Sequence, residues 1–385
     1  MEHSINPNHS ETQRKLDSLE IKNFRCLKDF KIPSLKRINL FTGKNNTGKS
    51  TILEAIAIYA TKGDLRLIMQ LLDERGENIK PKQAEDYLKI FSSLFTDRIF
   101  GLGSEDVISI GSIEKITSEE NKPSSHSNSV ILEFVEFVNT IEKNEQGFVT
   151  GKKQFVQNGE NGIKEVYKYG FAIGNGINSE VFSFDEAERF LRYYFGFNNG
   201  NLQYVRGRNI DSKNNSKLFD NIALTDKEQN VIDSLKIIEP ATERITFVEE
   251  GRDERVAIIK LSDSQRLPLK SMGDGINRVL TMILALVNSD NGFLLVDEFE
   301  NGLHYTIQEQ LWNIIFLMSQ RLNVQVFATT HSEDCIRAFE SVLNSSGNTQ
   351  AGKLIRLDNK NGKIIPVEFD AKDLEITNRN DIEIR

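Results

Sequence analysis

The sequence predicts an α/β protein: a mostly parallel sheet, antiparallel strands on its N-terminal side, and an inserted lobe of mixed helix and strand. Three observations predict it. A strand, a glycine-rich turn and a helix follow one another in "INLFTGKNNTGKSTILEAIAIYA", residues 38–60. After residue 240, apolar strands alternate with helical patterns, as in a parallel sheet covered on both faces. Between these ends runs a stretch of short β-type segments broken by Gly, Asn and Ser.

The elements follow in chain order. Residues 1–18 are polar, without the apolar core of a secretory signal, and predict a loose tail. Residues 19–63 form the N-terminal half of the main domain: "LDSLEIKNFRCLKDFKI" alternates as strands do and leads into the glycine turn. Residues 64–240 are expected to form the inserted lobe. It holds helices over "KQAEDYLKIFSSLF", "FDEAERFLRYYFG" and "DKEQNVIDSLKII", with strands in "VISIGSIEKI", "NSVILEFVEFV", "KKQFVQNG" and "IKEVYKYGFAI". Residues 241–385 return to the main domain. There "RITFVEE" and "RVAIIKL" read as strands around a turn, followed by helix "GINRVLTMILALVN", buried strand "FLLVDE" and helix "YTIQEQLWNIIFLMSQ". Strand "VQVFATT", helix "SEDCIRAFESVL" and a small closing hairpin, "KLIRLDN" with "KIIPVEF", complete the chain.

Composition narrows the class. A chain of 385 residues with 38% hydrophobic and 27% charged residues can bury a sizeable core, and no apolar run reaches membrane-span length, so a cytoplasmic protein is expected. The net charge of −8 argues against binding nucleic acid through bulk charge. Cys26 and Cys335 are far apart and without metal-type spacing; both are expected to be buried free thiols.

The chemistry concentrates at the glycine turn. Gly43, Gly48, Lys49 and Ser50 fit G-x-x-x-x-G-K-[ST] between a strand and a helix, the context that phosphate binding requires. Backbone N–H groups of Asn45, Asn46, Thr47, Gly48, Lys49 and Ser50 are placed to surround β- and γ-phosphates, with Thr51 completing the nucleotide-binding set. Lys49 is suited to neutralise phosphate charge and the Ser50 hydroxyl to take one place around Mg²⁺. The expected cofactors are therefore ATP and Mg²⁺.

Further residues fall into register with that turn. The strand "FLLV" ends in Asp297 and Glu298: Asp297 is expected to hold Mg²⁺ through water, and Glu298 to act on the attacking water as general base or as its orienter. His331 ends the next strand, where an imidazole contacts γ-phosphate or attacking water. His304 is expected to cap or pack the following helix. In "LKSMGDGINRVL", Ser271 or Asp274 is expected to cap a helix, and the exposed donors of that turn, Ser271 and Gly273, suit the γ-phosphate of a nucleotide held by another subunit.

Taken together, the motifs at Gly43–Ser50, Ser271–Gly275, Asp297–Glu298 and His331 resemble the ABC-type ATPases of the SMC/RecF branch. Within it, "IKNFRCLKDFKI", "SMGDGINR" and "DEFENGLHY" are most similar to the ATPase part of the OLD (overcoming lysogenization defect) family and its relatives in bacterial anti-phage systems. The resemblance implies a P-loop ABC-type head that works as a homodimer or higher homo-oligomer, with ATP sandwiched between one glycine loop and the other subunit's Ser271 and Gly273. It implies that residues 300–303 cross the dimer interface. The signature departs from Leu-Ser-Gly-Gly-Gln, with Met272 at the first glycine and Asp274 at the glutamine; Gln83 is the candidate for the glutamine loop.

The span from Ser50 to Ser271 is too short and irregular for SMC coiled-coil arms. The segment after His331 is short for the Toprim nuclease of many OLD proteins, so this chain is expected to lack it. The expectation is an ATPase that serves as sensor or scaffold of anti-phage defence and controls a separately encoded effector, Toprim-like or otherwise toxic, with DNA or a phage-derived molecule as trigger. The alternative is a RecF-like repair ATPase that clamps DNA as an ATP-bound dimer. In "RFLRYYFGFNNGNLQYVRGR" the aromatics either stack on bases or bury themselves with arginines at the rim. No Asn-Lys-x-Asp motif supports a GTPase.

Overall fold

The computed structural model describes residues 15–77, 84–101, 106–113, 129–143, 149–155, 168–175, 179–184, 201–207, 212–251, 255–263, 265–345, 347–380 and 384. In chain order the first half carries β1 (Leu19–Phe24), β2 (Leu27–Ile32), β3 (Ile38–Thr42), α1 (Lys49–Ala60), α2 (Leu65–Glu74) and α3 (Ala84–Ser92). Then come β4 (Ile108–Gly111), β5 (Ser129–Lys143), β6 (Val149–Phe155), β7 (Lys168–Gly174), β8 (Ser179–Ser183) and β9 (Leu202–Val205). Next are α4 (Ser212–Asp220), α5 (Asp226–Ile238), β10 (Thr242–Glu249), β11 (Arg255–Leu261) and β12 (Arg266–Pro268). The chain closes with α6 (Asp274–Asn288), β13 (Phe293–Val296), α7 (Tyr305–Arg321), β14 (Gln325–Thr329), α8 (Glu333–Leu343), β15 (Gly352–Lys360), β16 (Lys363–Phe369) and α9 (Ala371–Arg379).

The central sheet has six strands among the described residues, ordered β16-β15-β3-β14-β13-β9. All but β16 run parallel. Successive residues of its strands serve opposite cores. Ile38, Leu40, Leu294, Val296, Val326 and Ala328 face the core shared with α6, α7 and α8, whereas Phe41, Phe293, Leu295 and Phe327 face the core shared with α1. Burial on both faces explains why β3, β13 and β14 are buried at every residue and why their apolar residues fall in continuous runs instead of alternating.

Helix α1 is buried nearly all round, including Ile52, Leu53, Ala55, Ile56, Ala57 and Ile58. The reason is its place between two sheets: it packs on β13, β14 and β9 on one side and on β4 and β5 on the other. The second sheet is antiparallel, ordered β2-β1-β4-β5-β7-β8 with β6 on β5. A third, small sheet joins β10, β11 and β12. The architecture is α/β: a mostly parallel central sheet with helices on both faces and an antiparallel sheet closing over α1.

Several expectations need revision. Strands β4 to β8 and β9 fall within residues 64–240, yet they complete the sheet of β1 and β2 and the central sheet respectively. A two-stranded hairpin is marginal alone, and β1 gains a third strand only from this later segment. The closing hairpin is no appendage, since β15 pairs in parallel with β3 over five residues. Cys335 is buried but Cys26 is exposed, because it lies in the tight turn between β1 and β2. Helix α6 has Gly273 as its N-cap and no side-chain cap bond; the Ser271 hydroxyl donates instead to Pro268 O at 2.7 Å. Gln83, residues 1–14 and all but the first residue of the predicted helix "FDEAERFLRYYFG" lie outside the described residues.

Candidate functional site

The glycine loop is shaped by close approaches that a Cβ would obstruct. Gly43 has φ 137°, and a Cβ there would lie 2.6 Å from Leu357 O; Gly48 has φ 83°, and a Cβ there would lie 3.0 Å from Cys26 Sγ. Asn46 between them has φ 64°. Helix α1 then begins at Lys49 without a side-chain cap, leaving its first N–H groups for a ligand. Lys49 folds back over the loop, and Nζ donates to Gly43 O at 2.7 Å and Lys44 O at 3.0 Å. Burial pushes its pKa down, against the pull of Asp297, Glu300 and Glu298.

Facing the loop, the acids are set by one hydroxyl. Thr329 Oγ1, at the end of β14, donates to Asp297 Oδ1 at 2.5 Å and accepts the Glu298 N–H at 2.9 Å. Asp297 N–H donates to Val205 O at 2.8 Å, extending the β13–β9 pairing by one residue. Glu298 then leaves the strand with φ 50°, a left-handed conformation unusual for a non-glycine residue. Its carboxylate lies against Gly207, where a Cβ would sit 2.3 Å from Oε2.

Beneath this turn sits Arg278 of α6, only 2% exposed. Nη1 donates to Arg206 O at 2.6 Å, and Nη2 to Asp297 O at 3.2 Å and Glu298 O at 3.4 Å. Burial lowers its pKa. It ties the helix that begins beside Ser271 and Gly273 to the backbone of both acids. Arg278→Met is expected to destabilise the fold by about 1.5–3 kcal/mol, read from a denaturant midpoint, because the carbonyls it serves are left without a charged donor.

These elements enclose a cleft of about 550 Å³ lined by residues 45–51, Asp297, Glu298, Thr329, Thr330 and His331. The side chain of His331 is 60% exposed, and Nδ1 lies 2.8 Å from Glu300 Oε1. Gly43 underlies the cleft through its bond to Lys49. Ser271 and Gly273 are exposed and stand apart from this lining. The start of α6 abuts the turn after the acids, where a Cβ on Gly275 would lie 3.3 Å from Gly302 O. His304 caps α7, its Nδ1 accepting the Thr306 N–H at 3.4 Å.

Arg25, Cys26, Arg75 and Ser93 also line the cleft, and none was expected there from the sequence. Arg25 is 7% exposed in its side chain; Nη1 donates to Glu77 Oε1 at 3.2 Å and to Oε2 at 2.9 Å, and Nε lies 3.1 Å from Glu54 Oε2. Its Nη2 is buried without a hydrogen-bond partner. Glu54 also accepts from Arg75 Nε at 2.7 Å, and burial raises its pKa against both guanidinium groups. The available signal was the Phe-Arg-Cys turn between two strands, but its neighbour Glu54 comes from α1. Only tertiary packing joins them.

A protein-family model described as "AAA domain, putative AbiEii toxin, Type IV TA system" matches residues 115–334, more than half of the chain. The chain belongs to this family. A second model, described as an AAA ATPase domain, matches residues 15–169 of this AAA-domain protein. It is similar to an ATP/GTP phosphatase of Helicobacter pylori, 24% identical over 387 residues that cover 94% of this chain and 97% of the relative. Among solved structures, an SMC head crystallised with the C-winged helix domain of ScpA is 14% identical, covering 93% of this chain and 98% of that one, with TM-score 0.47. The SMC head domain from Thermotoga maritima is 11% identical, covering 93% and 100%, with TM-score 0.43. The AAA-domain protein uses nucleotide and hydrolyses ATP. Among the described residues, no helix is long and apolar enough to cross a membrane, and no group of three or more His, Cys, Asp or Glu forms a metal site.

Proposed function

We propose that this ATPase holds Mg–ATP between the glycine loop of one copy and the Ser271–Gly273 turn of a second, and that the closed pair switches a separate effector in anti-phage defence. The observation that carries the ATP reading is the convergence on one cleft of residues 45–51, Asp297, Glu298 and His331. The donor set fits the ligand. Positive-φ glycines let the backbone approach closely, and half-buried Lys49 stands within electrostatic reach of Asp297, Glu300 and Glu298. The Ser50 hydroxyl and Asp297 are the residues to hold Mg²⁺, which when bound neutralises phosphate charge. Glu298 is the acceptor for a proton of the attacking water.

The second-copy reading is supported by the exposure of the Ser271–Gly273 turn and by the start of α6, which no side chain of this copy caps. Closure driven by ATP and reopening after hydrolysis give a partner two states to distinguish. Similarity to the OLD family in "SMGDGINR" and "DEFENGLHY", and a family description that names a toxin–antitoxin system, support the defence role and a cytoplasmic setting. RecF-like clamping of DNA is the competing reading; recovery of DNA with no protein partner on affinity purification of an ATP-locked variant would favour it.

Mixing subunits tests the composite site. Lys49→Ala and Ser271→Arg proteins are each expected to be inactive alone. Mixed and re-equilibrated in equal amounts, they should regain about a quarter of the original ATPase rate, since half the dimers carry one intact site of two. Absence of recovery in mixtures shown to exchange subunits would contradict shared sites.

A further inference from the structure

Glu300 stands in the turn after the acidic pair, behind the residues that line the cleft. Its side chain is 10% exposed. Oε2 accepts from Thr330 Oγ1 at 2.8 Å, and Oε1 accepts the backbone N–H of His331 at 2.9 Å. The same Oε1 lies 2.8 Å from His331 Nδ1. One carboxylate thus grips an otherwise exposed ring at its backbone, at its neighbour and at one ring nitrogen. An ionised carboxylate can only accept, so the nitrogen facing it must carry the hydrogen. Nε2, on the opposite edge of a ring that lines the cleft with Lys49 and Glu298, then keeps its lone pair when the ring is neutral.

We propose that Glu300 is the positioning residue of the reaction: it fixes His331 as the Nδ1–H tautomer and presents Nε2 to the cleft as a hydrogen-bond acceptor for the attacking water. This rests on the reading of the cleft as the ATP site. Water held between the Glu298 carboxylate and Nε2 donates one O–H to each and turns an oxygen lone pair towards the γ-phosphorus. As that oxygen–phosphorus bond forms, the bond from γ-phosphorus to the bridging oxygen breaks and its electron pair leaves with ADP. One water proton passes to Glu298, and the other stays on the phosphate oxygen. His331 orients and takes no net proton. Glu300 never touches the reacting atoms and acts through the ring.

The test is the ¹⁵N spectrum of histidine-labelled protein without nucleotide, at a pH where the ring is neutral, with the His331 signals identified by their loss in His331→Gln. The expected result is a protonated Nδ1 and a bare Nε2 at His331, changing towards protonated Nε2 in Glu300→Ala. A proton on Nε2 in the unaltered protein would overturn the proposal, and that measurement stands even if Glu300→Ala does not fold. In turnover assays, Glu300→Ala should lower kcat by about 100-fold with KM for ATP changed less than about twofold; an unchanged kcat would also overturn it. Should the unaltered protein bind no ATP, the reading of the cleft fails, while the nitrogen signals still decide what Glu300 does to the ring.

Discussion

Lys49→Ala is expected to abolish measurable nucleotide binding and with it all ATP turnover. Its ammonium is held over the glycine loop by two backbone carbonyls, in a half-buried position within electrostatic reach of three carboxylates. Charge-assisted hydrogen bonds to phosphate are worth about 1.5–3 kcal/mol each, so losing two or more raises Kd by at least about 100-fold. Alanine also leaves Asp297 and Glu298 facing the phosphates without a balancing cation. The fold should survive, because Lys49 holds no other element in place beyond its own loop. Titration calorimetry with ATP checks the first statement and thermal unfolding the second.

Glu298→Gln is expected to separate binding from hydrolysis. The amide keeps the shape of the side chain against Gly207 and its contact with Asn301, and the backbone N–H bond to Thr329 Oγ1 is untouched. ATP affinity should therefore stay within about twofold. The amide cannot accept the proton of the attacking water, so kcat should fall by about 100- to 1000-fold. Single-turnover assays measure the chemical step directly. A Glu298→Gln protein that hydrolyses at the normal rate would remove Glu298 from the role of base and leave His331 as the residue to examine.

Much of this was legible in the sequence because it depends on local rules. "FLLVDE" could only be a buried strand ending in acids, and "DKEQNVIDSLKII" and "KIIPVEF" match α5 and β16 residue for residue. The cleft residues from the glycine loop, the acidic strand and His331 were legible for the same reason: parallel strands carry their functional groups at the same edge. What could not be read was long-range. Arg25 and Arg75 enter the cleft because Glu54 of α1 draws both guanidinium groups together, and no spacing in the sequence encodes that meeting. Arg278 carries no local signal that sets it apart from other polar residues on a helix; its role follows from its backbone partners in distant segments. Residues 64–240 looked like an insert because their β runs are short and irregular, but sheet edges recruit partners without regard to sequence distance.

Glu300 was read only as part of a turn crossing to a second copy, although its own hydrogen bonds run inward to Thr330 and His331. The two roles are compatible: the side chain faces the histidine, and the rest of the turn lies beside the start of α6.

Light scattering of the Glu298→Gln protein, with and without Mg–ATP, tests the central claim most directly. The expected result is a single-chain mass without nucleotide and twice that mass with Mg–ATP, reversed when ADP replaces ATP. A protein that binds ATP at single-chain mass, or whose mass does not respond to nucleotide, would contradict an ATP-closed pair of copies.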